Sequence, residues 1–254
     1  MVYQGSKNRL AKYIVPIIQK CIDENNIKTY IEPMCGSCSI IEKIVCENKI
    51  AADINDELIA LLKYVKSDPL LSIAPDDCNF EHYADVRENR KLGTGKYSKE
   101  YTALIGYCGS FGGRYYDGGW GRDKTGKRNI YKERVANLKE DSQLLQNIEL
   151  RCCNYTAFEN YKNCLLYFDP PYQGTKQYSK QSINYEEFYD FLRKLSENNI
   201  VLISEYSMPN DFKCIWQKER KVMQKSDRIV ADKAVEKLFI LERGEQYEMY
   251  VSRK

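Results

Sequence analysis

The chain has 254 residues, 43% of them hydrophobic and 30% charged, a composition typical of a globular protein with a substantial core. Its 39 basic and 36 acidic side chains leave a formal charge of only +3, so any nucleic-acid surface must be local. His82 is the only histidine, which excludes the two-histidine zinc-protease motif and disfavours Ser/His and Cys/His triads.

The positions of the apolar residues also indicate the compartment. No apolar run approaches the roughly 18 residues that a membrane-spanning helix needs, and the first residues do not resemble a signal peptide. The ten cysteines are scattered rather than arranged in a disulfide-like pattern. We therefore expect a cytoplasmic protein without a membrane segment.

The first 66 residues alternate between helical and extended patterns, which predicts a parallel sheet with crossover helices. A loop of small residues over 35–39 separates the first strand from the helix after it. The predicted elements are a helix over 7–18, a strand over 28–31, a helix over 40–46, a strand over 50–52 and a helix over 57–65.

After residue 67 the chain becomes polar and glycine-rich, and the alternation resumes near residue 148. The later predicted elements are strands over 148–153, 163–168 and 200–204, a helix over 185–195, and a closing hairpin of 237–241 with 247–252. We expect an α/β fold, a doubly wound and mostly parallel sheet with a C-terminal antiparallel hairpin. Its main domain comprises 1–66 and 148–254, and 67–147 is an inserted helical and loop-rich region.

The end of the first strand has the features of a nucleoside-cofactor site. Ligands of open parallel sheets bind beyond the carboxyl ends of the strands. The small residues at 35–39 would let backbone amides approach a ligand at the start of the predicted helix. Asp53 ends the second strand, where its carboxylate can accept hydrogen bonds from ribose hydroxyls.

Cys35 and Cys38 also form a C-x-x-C motif, so a redox dithiol and half of a zinc site are alternatives. A structural zinc site needs four ligands, and a second C-x-x-C motif is missing from the sequence. We expect no metal, and we interpret both thiols as small buried side chains.

The strand over 163–168 runs directly into Asp169-Pro170-Pro171-Tyr172. Two consecutive prolines fix the backbone and lack amide donors, so the Pro170 carbonyl can face a cleft as an unpaired acceptor beside the Asp169 carboxylate. An amino group that donates to both oxygens keeps its lone pair available for attack, and the Tyr172 ring can stack on the base that carries it. The motif therefore indicates an exocyclic amine that acts as a nucleophile.

With this motif in place, the sequence resembles the Dam-like D12 class of S-adenosylmethionine-dependent DNA adenine-N6 methyltransferases. Tyr3-Gln4-Gly5-Ser6-Lys7 resembles the aromatic-x-Gly-x-Lys element of that class, and 32–38 is similar to its Glu-Pro-Phe-x-Gly-x-Gly cofactor loop. Met34 and Cys38 depart from that pattern, and Asn154 stands where the class often has an aspartate. Ser204-Glu205-Tyr206 and 236–239 also resemble segments of the class.

The resemblance implies a Rossmann-like methyltransferase fold, S-adenosylmethionine as cofactor, double-stranded DNA as substrate and a flipped-out adenine as target. It leaves open a cognate restriction endonuclease as a partner. The implied catalytic residues are Asp169, Pro170 and Tyr172. The implied cofactor contacts are Tyr3, Lys7, Glu32, Pro33, Cys35, Gly36, Cys38, Asp53, Asn154 and Asp169.

The middle of the chain has the composition of a DNA-binding loop. Between Phe111 and Arg134, seven basic residues stand against three acidic ones, interleaved with six glycines and five aromatic residues. Such a flexible loop can neutralise phosphates and fill the gap that an extruded base leaves. The predicted DNA contacts are Arg114, Tyr115, Tyr116, Trp120, Arg122, Lys124, Lys127 and Arg128. A second basic run, 213–228, is either a DNA flank or a solvated face.

Three alternatives remain at this point. The same fold can act on cytosine N4, on adenine in RNA or on a protein glutamine, although an acid at position 169 favours adenine. A non-catalytic DNA-binding protein would keep the basic loop and tolerate the loss of Asp169. A thiol oxidoreductase would depend on Cys35 and Cys38.

Overall fold

The computed structural model describes residues 1–123, 125–172, 183–220 and 234–241, and all structural statements below refer to them. The helices are α1 (Asn8–Glu24), α2 (Asp56–Ser67), α3 (Phe80–Leu92), α4 (Lys99–Gly109), α5 (Ile130–Leu144) and α6 (Tyr185–Leu195). The strands are β1 (Thr29–Glu32), β2 (Asn48–Asp53), β3 (Ile148–Cys152), β4 (Leu165–Phe168), β5 (Ile200–Glu205), β6 (Phe212–Arg220) and β7 (Ala234–Leu241). In these ranges, none of the helices has the length and hydropathy to cross a membrane.

The strands form one seven-stranded sheet in the order β3-β2-β1-β4-β5-β7-β6. Pairing is parallel from β3 to β5 and antiparallel for β7 and β6, which confirms the expected doubly wound α/β fold. The chain leaves β1 in one direction to β2 and returns later to β4 on its other side. The carboxyl ends of β1 and β4 therefore lie at the switch point where ligands of such sheets bind.

Helix α6 is amphipathic and packs its apolar side against one face of the sheet. The Asn184 side chain caps its first turn by accepting from the amide of Glu186 at 3.2 Å. Phe188, Leu192 and Leu195 recur at helical spacing, and all three are buried against the sheet. The observed bounds match the predicted helix over 185–195.

The region between β2 and β3 shares the core on the other face of the sheet. Leu104 of α4 and Leu138 of α5 are buried in the same cluster as Leu61 of α2 and Ile14 of α1. The predicted insertion over 67–147 therefore packs as a continuation of the main core.

The predicted helix over 40–46 is wrong. Only a short 3-10 turn, Ile41–Lys43, follows the small-residue loop. The Gln19 side-chain amide accepts from the Val45 amide and donates to its carbonyl, both at 2.9 Å, and so holds the chain extended before β2. Ile40, Ile41 and Ile44 are buried, and β-branched side chains pack well in a non-helical segment.

The C-terminal hairpin exists, but its first strand was not predicted. β7 pairs with β6, whereas the predicted partner over 247–252 lies outside the described residues. β6 includes the first part of the second basic run, and the remainder, 221–228, also lies outside them. A register shift between Cys214 and Trp216 interrupts the two-residue alternation of β6, which hid this edge strand in the sequence.

Candidate active site

A tight turn and the start of α1 position the two N-terminal site residues. The amide of Ser6 donates to the carbonyl of Tyr3 at 3.2 Å, and Gly5 has the positive φ of 89° that this turn requires. The carbonyl of Lys7 accepts from the first turn of α1 at 2.8 Å. The Lys7 backbone is thereby fixed, and its side chain reaches beyond the ends of β1 and β4.

The small-residue loop after β1 is tied to β2 and lies against the Tyr3 ring. The amide of Cys35 donates to the carbonyl of Ala52 at 2.8 Å, which ties the loop to the end of β2. Gly36 and Cys38 have positive φ angles of 48° and 61°. A Cβ at Gly36 would lie 3.0 Å from Cε1 of the Tyr3 ring, so this position has no room for a side chain.

Asp53 lies where β2 ends and faces the same loop. Its Oδ2 accepts from the amide of Gly36 at 3.1 Å, and its Oδ1 accepts from the amide of Asn55 at 2.9 Å. Burial raises the pKa of Asp53, and these two amides oppose the shift. Each carboxylate oxygen has a second lone pair, so this group can still accept from the hydroxyls of a nucleoside.

Asp169 follows β4 and forms an ion pair with Lys7. The distance from Nζ of Lys7 to Oδ1 of Asp169 is 2.8 Å, and the Asp169 side chain is 21% exposed. Burial raises the pKa of Asp169, while the Lys7 ammonium opposes this shift and favours the carboxylate. Pro170 is buried beside it, whereas Asp169 stays partly accessible at the end of β4.

Tyr172 is buried beside the same ion pair. Its hydroxyl donates to Oε2 of Glu236 at 2.6 Å, and Nζ of Lys7 lies 4.5 Å from the centroid of its ring. The ring of Tyr206 packs against it with a centroid distance of 4.3 Å and an interplanar angle of 71°. The predicted base-stacking ring is thus part of a packed cluster in which Lys7 lies over it.

Glu32 ends β1 and is also buried. The hydroxyl of Tyr30 donates to its Oε1 at 2.6 Å. Burial raises the pKa of Glu32 from 4.5 to about 8; the nearby Asp169 adds to this rise, and the Tyr30 hydroxyl opposes it. Burial therefore favours the neutral carboxyl form of Glu32. Its neighbour Pro33 is buried and lies two residues before the small-residue loop.

The C-x-x-C thiols have the surroundings of structural cysteines. Cys35 and Cys38 are both free and both buried. A hydrogen bond with Cys38 raises the pKa of the Cys35 thiol well above its usual value, and burial adds to the shift. The reactive thiolate is disfavoured, which weakens the redox hypothesis. Within the described ranges, no group of three or more His, Cys, Asp or Glu side chains is arranged to hold a metal ion.

Asn154 lies at the same edge of the sheet, just beyond β3. Its side-chain oxygen accepts from the amide of Thr156 at 3.0 Å and from its hydroxyl at 3.1 Å. The residue is exposed. Asn154 therefore caps the turn that follows β3.

The predicted DNA contacts divide into exposed basic and inward-facing aromatic residues. Arg114, Arg122, Lys127 and Arg128 are exposed. The guanidinium of Arg128 pairs with Glu133 at 2.9 Å, and that of Arg122 lies 5.4 Å from the Phe80 ring centroid. Lys124 lies outside the described residues.

The three aromatic residues support the loop from within. Tyr116 is 3% exposed and donates to the carbonyl of Thr102 at 2.8 Å, so its predicted role as a surface contact is corrected to a core residue. Tyr115 donates to Glu57 at 2.6 Å, and Trp120 packs on Tyr83 with a centroid distance of 5.3 Å. Aromatic side chains in this loop are needed for packing.

The loop itself is more ordered than the expected flexible segment. The amide of Phe111 donates to Gly119 at 2.8 Å, and that of Gly121 donates to Gly109 at 2.7 Å. A Cβ at Gly113 would lie 2.7 Å from the Val2 carbonyl oxygen, so glycine permits close approach to the N-terminal segment. The basic loop is thereby anchored at Val2, the residue directly before Tyr3.

Two residues at the site were missed in the sequence. Tyr107 of α4 packs its ring against Tyr3 with a centroid distance of 5.6 Å, which brings the inserted region to the cofactor loop. Glu236 of β7 is 2% exposed and joins Tyr172 and Lys7. The alternation of β7 places Glu236 on the same face as Leu238 and Ile240, and an acid on an apolar face was the available signal.

Comparisons with known proteins identify the family of this chain. The model of the family described as D12 class N6 adenine-specific DNA methyltransferase matches residues 3–228. The Type II methyltransferase M.MjaIII of Methanocaldococcus jannaschii is 25% identical over 245 residues, which cover 83% of this chain and 84% of that protein.

Solved structures with detectable likeness are more distant in sequence. An rRNA methylase of Streptococcus thermophilus is 9% identical, with 90% of this chain and 97% of that chain covered and a TM-score of 0.35. TrmN of Thermus thermophilus is 10% identical, with 91% of this chain and 49% of that chain covered and a TM-score of 0.36.

Proposed function

Because the chain belongs to the D12 class of N6 adenine-specific DNA methyltransferases, we propose that Asp169, Pro170 and Tyr172 receive the target adenine. The single observation that supports this site is the position of the Asp169 carboxylate and its pairing with Lys7. The carboxylate lies at the switch point of the sheet, is partly exposed, and is paired with the Lys7 ammonium, which favours its charged form. It can therefore accept a hydrogen bond from the adenine amine without first losing a proton.

The amine is made nucleophilic by its acceptors. The Pro170 carbonyl and Asp169 accept its two hydrogens, which draws the nitrogen lone pair out of conjugation with the ring. The Tyr172 ring orients the base. The alkylated amine is acidic enough to release its extra proton to water, so the proposed role of Asp169 requires only that it accept a hydrogen bond.

S-adenosylmethionine is the methyl donor of this class and supplies an electrophilic methyl group on a sulfonium. The residues present fit such a group, because Gly36 lets the Tyr3 ring pack directly against the small-residue loop and Asp53 offers lone pairs to ribose hydroxyls. Tyr3, Lys7 and Asp53 would line its site together with the loop from Glu32 to Cys38. Asn154 would lie at the adenine end.

The inserted region over 67–147 would bind double-stranded DNA. Its exposed basic side chains, Arg114, Arg122 and Lys127, lie on a loop that the packing of Gly113 against Val2 holds near the cleft. Lys124 would add to this charge. Extrusion of the base costs a few kcal/mol, which contacts to the surrounding phosphates can offset.

We propose a cytoplasmic location and a partner endonuclease for the protein. The ten free thiols fit a reducing cytoplasm. The relative from Methanocaldococcus jannaschii is a Type II methyltransferase, which supports a cognate restriction endonuclease as a partner.

The test of the site is Asp169→Ala, assayed with labelled S-adenosylmethionine and DNA from a host without adenine methylation. We expect loss of N6-methyladenine with retained, salt-sensitive DNA binding. Asp211→Ala is a matched control, because Asp211 pairs with Arg193 outside the cleft and should leave methylation unchanged. Full activity of Asp169→Ala would refute the assignment.

A further inference from the structure

A lysine occupies the place that the target base needs. Nζ of Lys7 lies 2.8 Å from Oδ1 of Asp169, at the distance expected for the adenine amine. The same atom lies 4.5 Å from the centroid of the Tyr172 ring. A base that stacks on that face and donates to Asp169 would overlap the ammonium, so Lys7 must move when the base enters.

A second carboxylate is positioned to receive the displaced ammonium. Oε2 of Glu236 lies 4.0 Å from Nζ of Lys7, just beyond hydrogen-bond distance. Glu236 is 2% exposed, so its charge requires a partner inside the protein. The hydroxyl of Tyr172 supplies one hydrogen bond at 2.6 Å and fixes the carboxylate in place.

From this geometry we propose that Lys7 holds the place of the adenine amine in the free enzyme, and that Glu236 takes up its ammonium when the base enters. Glu236 is then a positioning residue of the methyl-transfer reaction, and the inference rests on the proposed role of Asp169. The movement needed is small, because a contact of 4.0 Å shortens to a hydrogen bond while the lysine backbone stays fixed.

The exchange conserves the charge of the cleft. Before the base enters, Lys7 neutralises Asp169, and Glu236 is stabilised by the tyrosine hydroxyl and by the nearby ammonium. Afterwards Lys7 neutralises Glu236, and the Asp169 carboxylate is stabilised by the adenine amine. Without Glu236 the ammonium would have to leave Asp169 without this counter-charge, which opposes base entry.

The experiment is a double-mutant cycle between Glu236→Gln and Lys7→Met. The glutamine keeps the size and the acceptor for Tyr172 but removes the charge. Methyl incorporation is measured in single turnover at saturating S-adenosylmethionine, with DNA from a host without adenine methylation. We expect Glu236→Gln to lower the rate about tenfold in the wild-type background and to cause no further loss in the Lys7→Met background.

Tyr172→Phe separates the two interactions of Glu236. This variant removes the hydroxyl but leaves the ring and the Glu236 charge, so we expect a smaller loss of rate than with Glu236→Gln. Equal losses in both lysine backgrounds, or the same loss in Tyr172→Phe, would show that Glu236 only packs the tyrosine and would overturn the proposal.

Two further measurements keep the test decisive. If Glu236→Gln does not fold, as judged by its melting temperature, Glu236→Asp replaces it. That variant keeps the charge but withdraws it by one methylene, and the same dependence on Lys7 is expected. An active Asp169→Ala enzyme would refute the site itself, whereas an inactive one combined with an additive cycle would refute only the role of Glu236.

Discussion

The backbone amide of Gly36 donates a hydrogen bond to the Asp53 carboxylate at 3.1 Å, and this bond joins the small-residue loop to the end of β2. It depends on a positive φ at Gly36, which presents the amide to the acid while the missing side chain leaves space for the Tyr3 ring. The proposed cofactor site therefore lies between the loop after β1 and the end of β2, which this hydrogen bond joins.

Gly36→Ala should weaken S-adenosylmethionine binding. An alanine at this φ costs about 1–2 kcal/mol of backbone strain, and its Cβ would also press on the Tyr3 ring. Gly119→Ala is the matched control, because it has a similar φ of 66° and no atom within 4 Å of the added Cβ. Thermal unfolding should show lower stability for both variants, and calorimetric titration should show weaker cofactor binding for Gly36→Ala alone. Equal cofactor affinity of the two variants would contradict the proposed site.

Glu32→Gln should change how stability depends on pH. The pKa of Glu32 is raised in the folded state from 4.5 to about 8, so between these values the folded protein binds more protons than the unfolded chain. Its contribution to the free energy of unfolding is therefore full below about pH 4.5 and is lost as the pH rises towards about 8. Glutamine can still accept from Tyr30 and does not titrate.

Urea unfolding of both proteins at several pH values between about 5 and 8 measures this pH dependence. The range is roughly as wide as the pKa shift of Glu32. We expect the stability of the wild type to fall relative to that of Glu32→Gln as the pH rises. Glu88→Gln makes the same chemical change on a side chain that is 56% exposed and should leave the pH dependence unaltered. Parallel curves for Glu32→Gln and the wild type would show that Glu32 titrates normally.

The combined variant Arg122→Ala and Lys127→Ala should weaken DNA binding and reduce its salt dependence. Each phosphate contact contributes about 0.9 to the slope of log affinity against log salt concentration. Arg128→Ala should have a smaller effect, because Arg128 is already paired with Glu133. Binding measured by fluorescence anisotropy at several salt concentrations gives both quantities.

Lys20→Ala is the control for this loop. Lys20 lies in α1, about 20 Å along the helix axis from Lys7 and hence away from the cleft. Its substitution should leave the slope unchanged. An unchanged slope in the Arg122 and Lys127 variant as well would remove the loop from the DNA interface.

The sequence alone determined the main elements and the chemistry of the strand ends. Hydrophobic periodicity predicted α6 within its observed bounds, and the alternation of strands and helices predicted the doubly wound sheet. Asp53 and Asp169 were predicted as site residues because each lies at the end of a buried strand, and the carboxyl ends of parallel strands meet at one edge. These features depend on residues that are close together in the chain.

Tertiary structure decided what depends on distant partners. The extended segment before β2 exists because Gln19 binds Val45, and Tyr116 is buried because its hydroxyl finds the Thr102 carbonyl. Glu236 reaches the candidate active site only because β7 pairs with β5, which brings it to Tyr172 across 64 residues. A local pattern records the periodicity of a segment but not which distant side chain will pair with it. The tertiary structure alone therefore shows the contacts among Lys7, Asp169, Tyr172 and Glu236, because these residues are far apart in the chain.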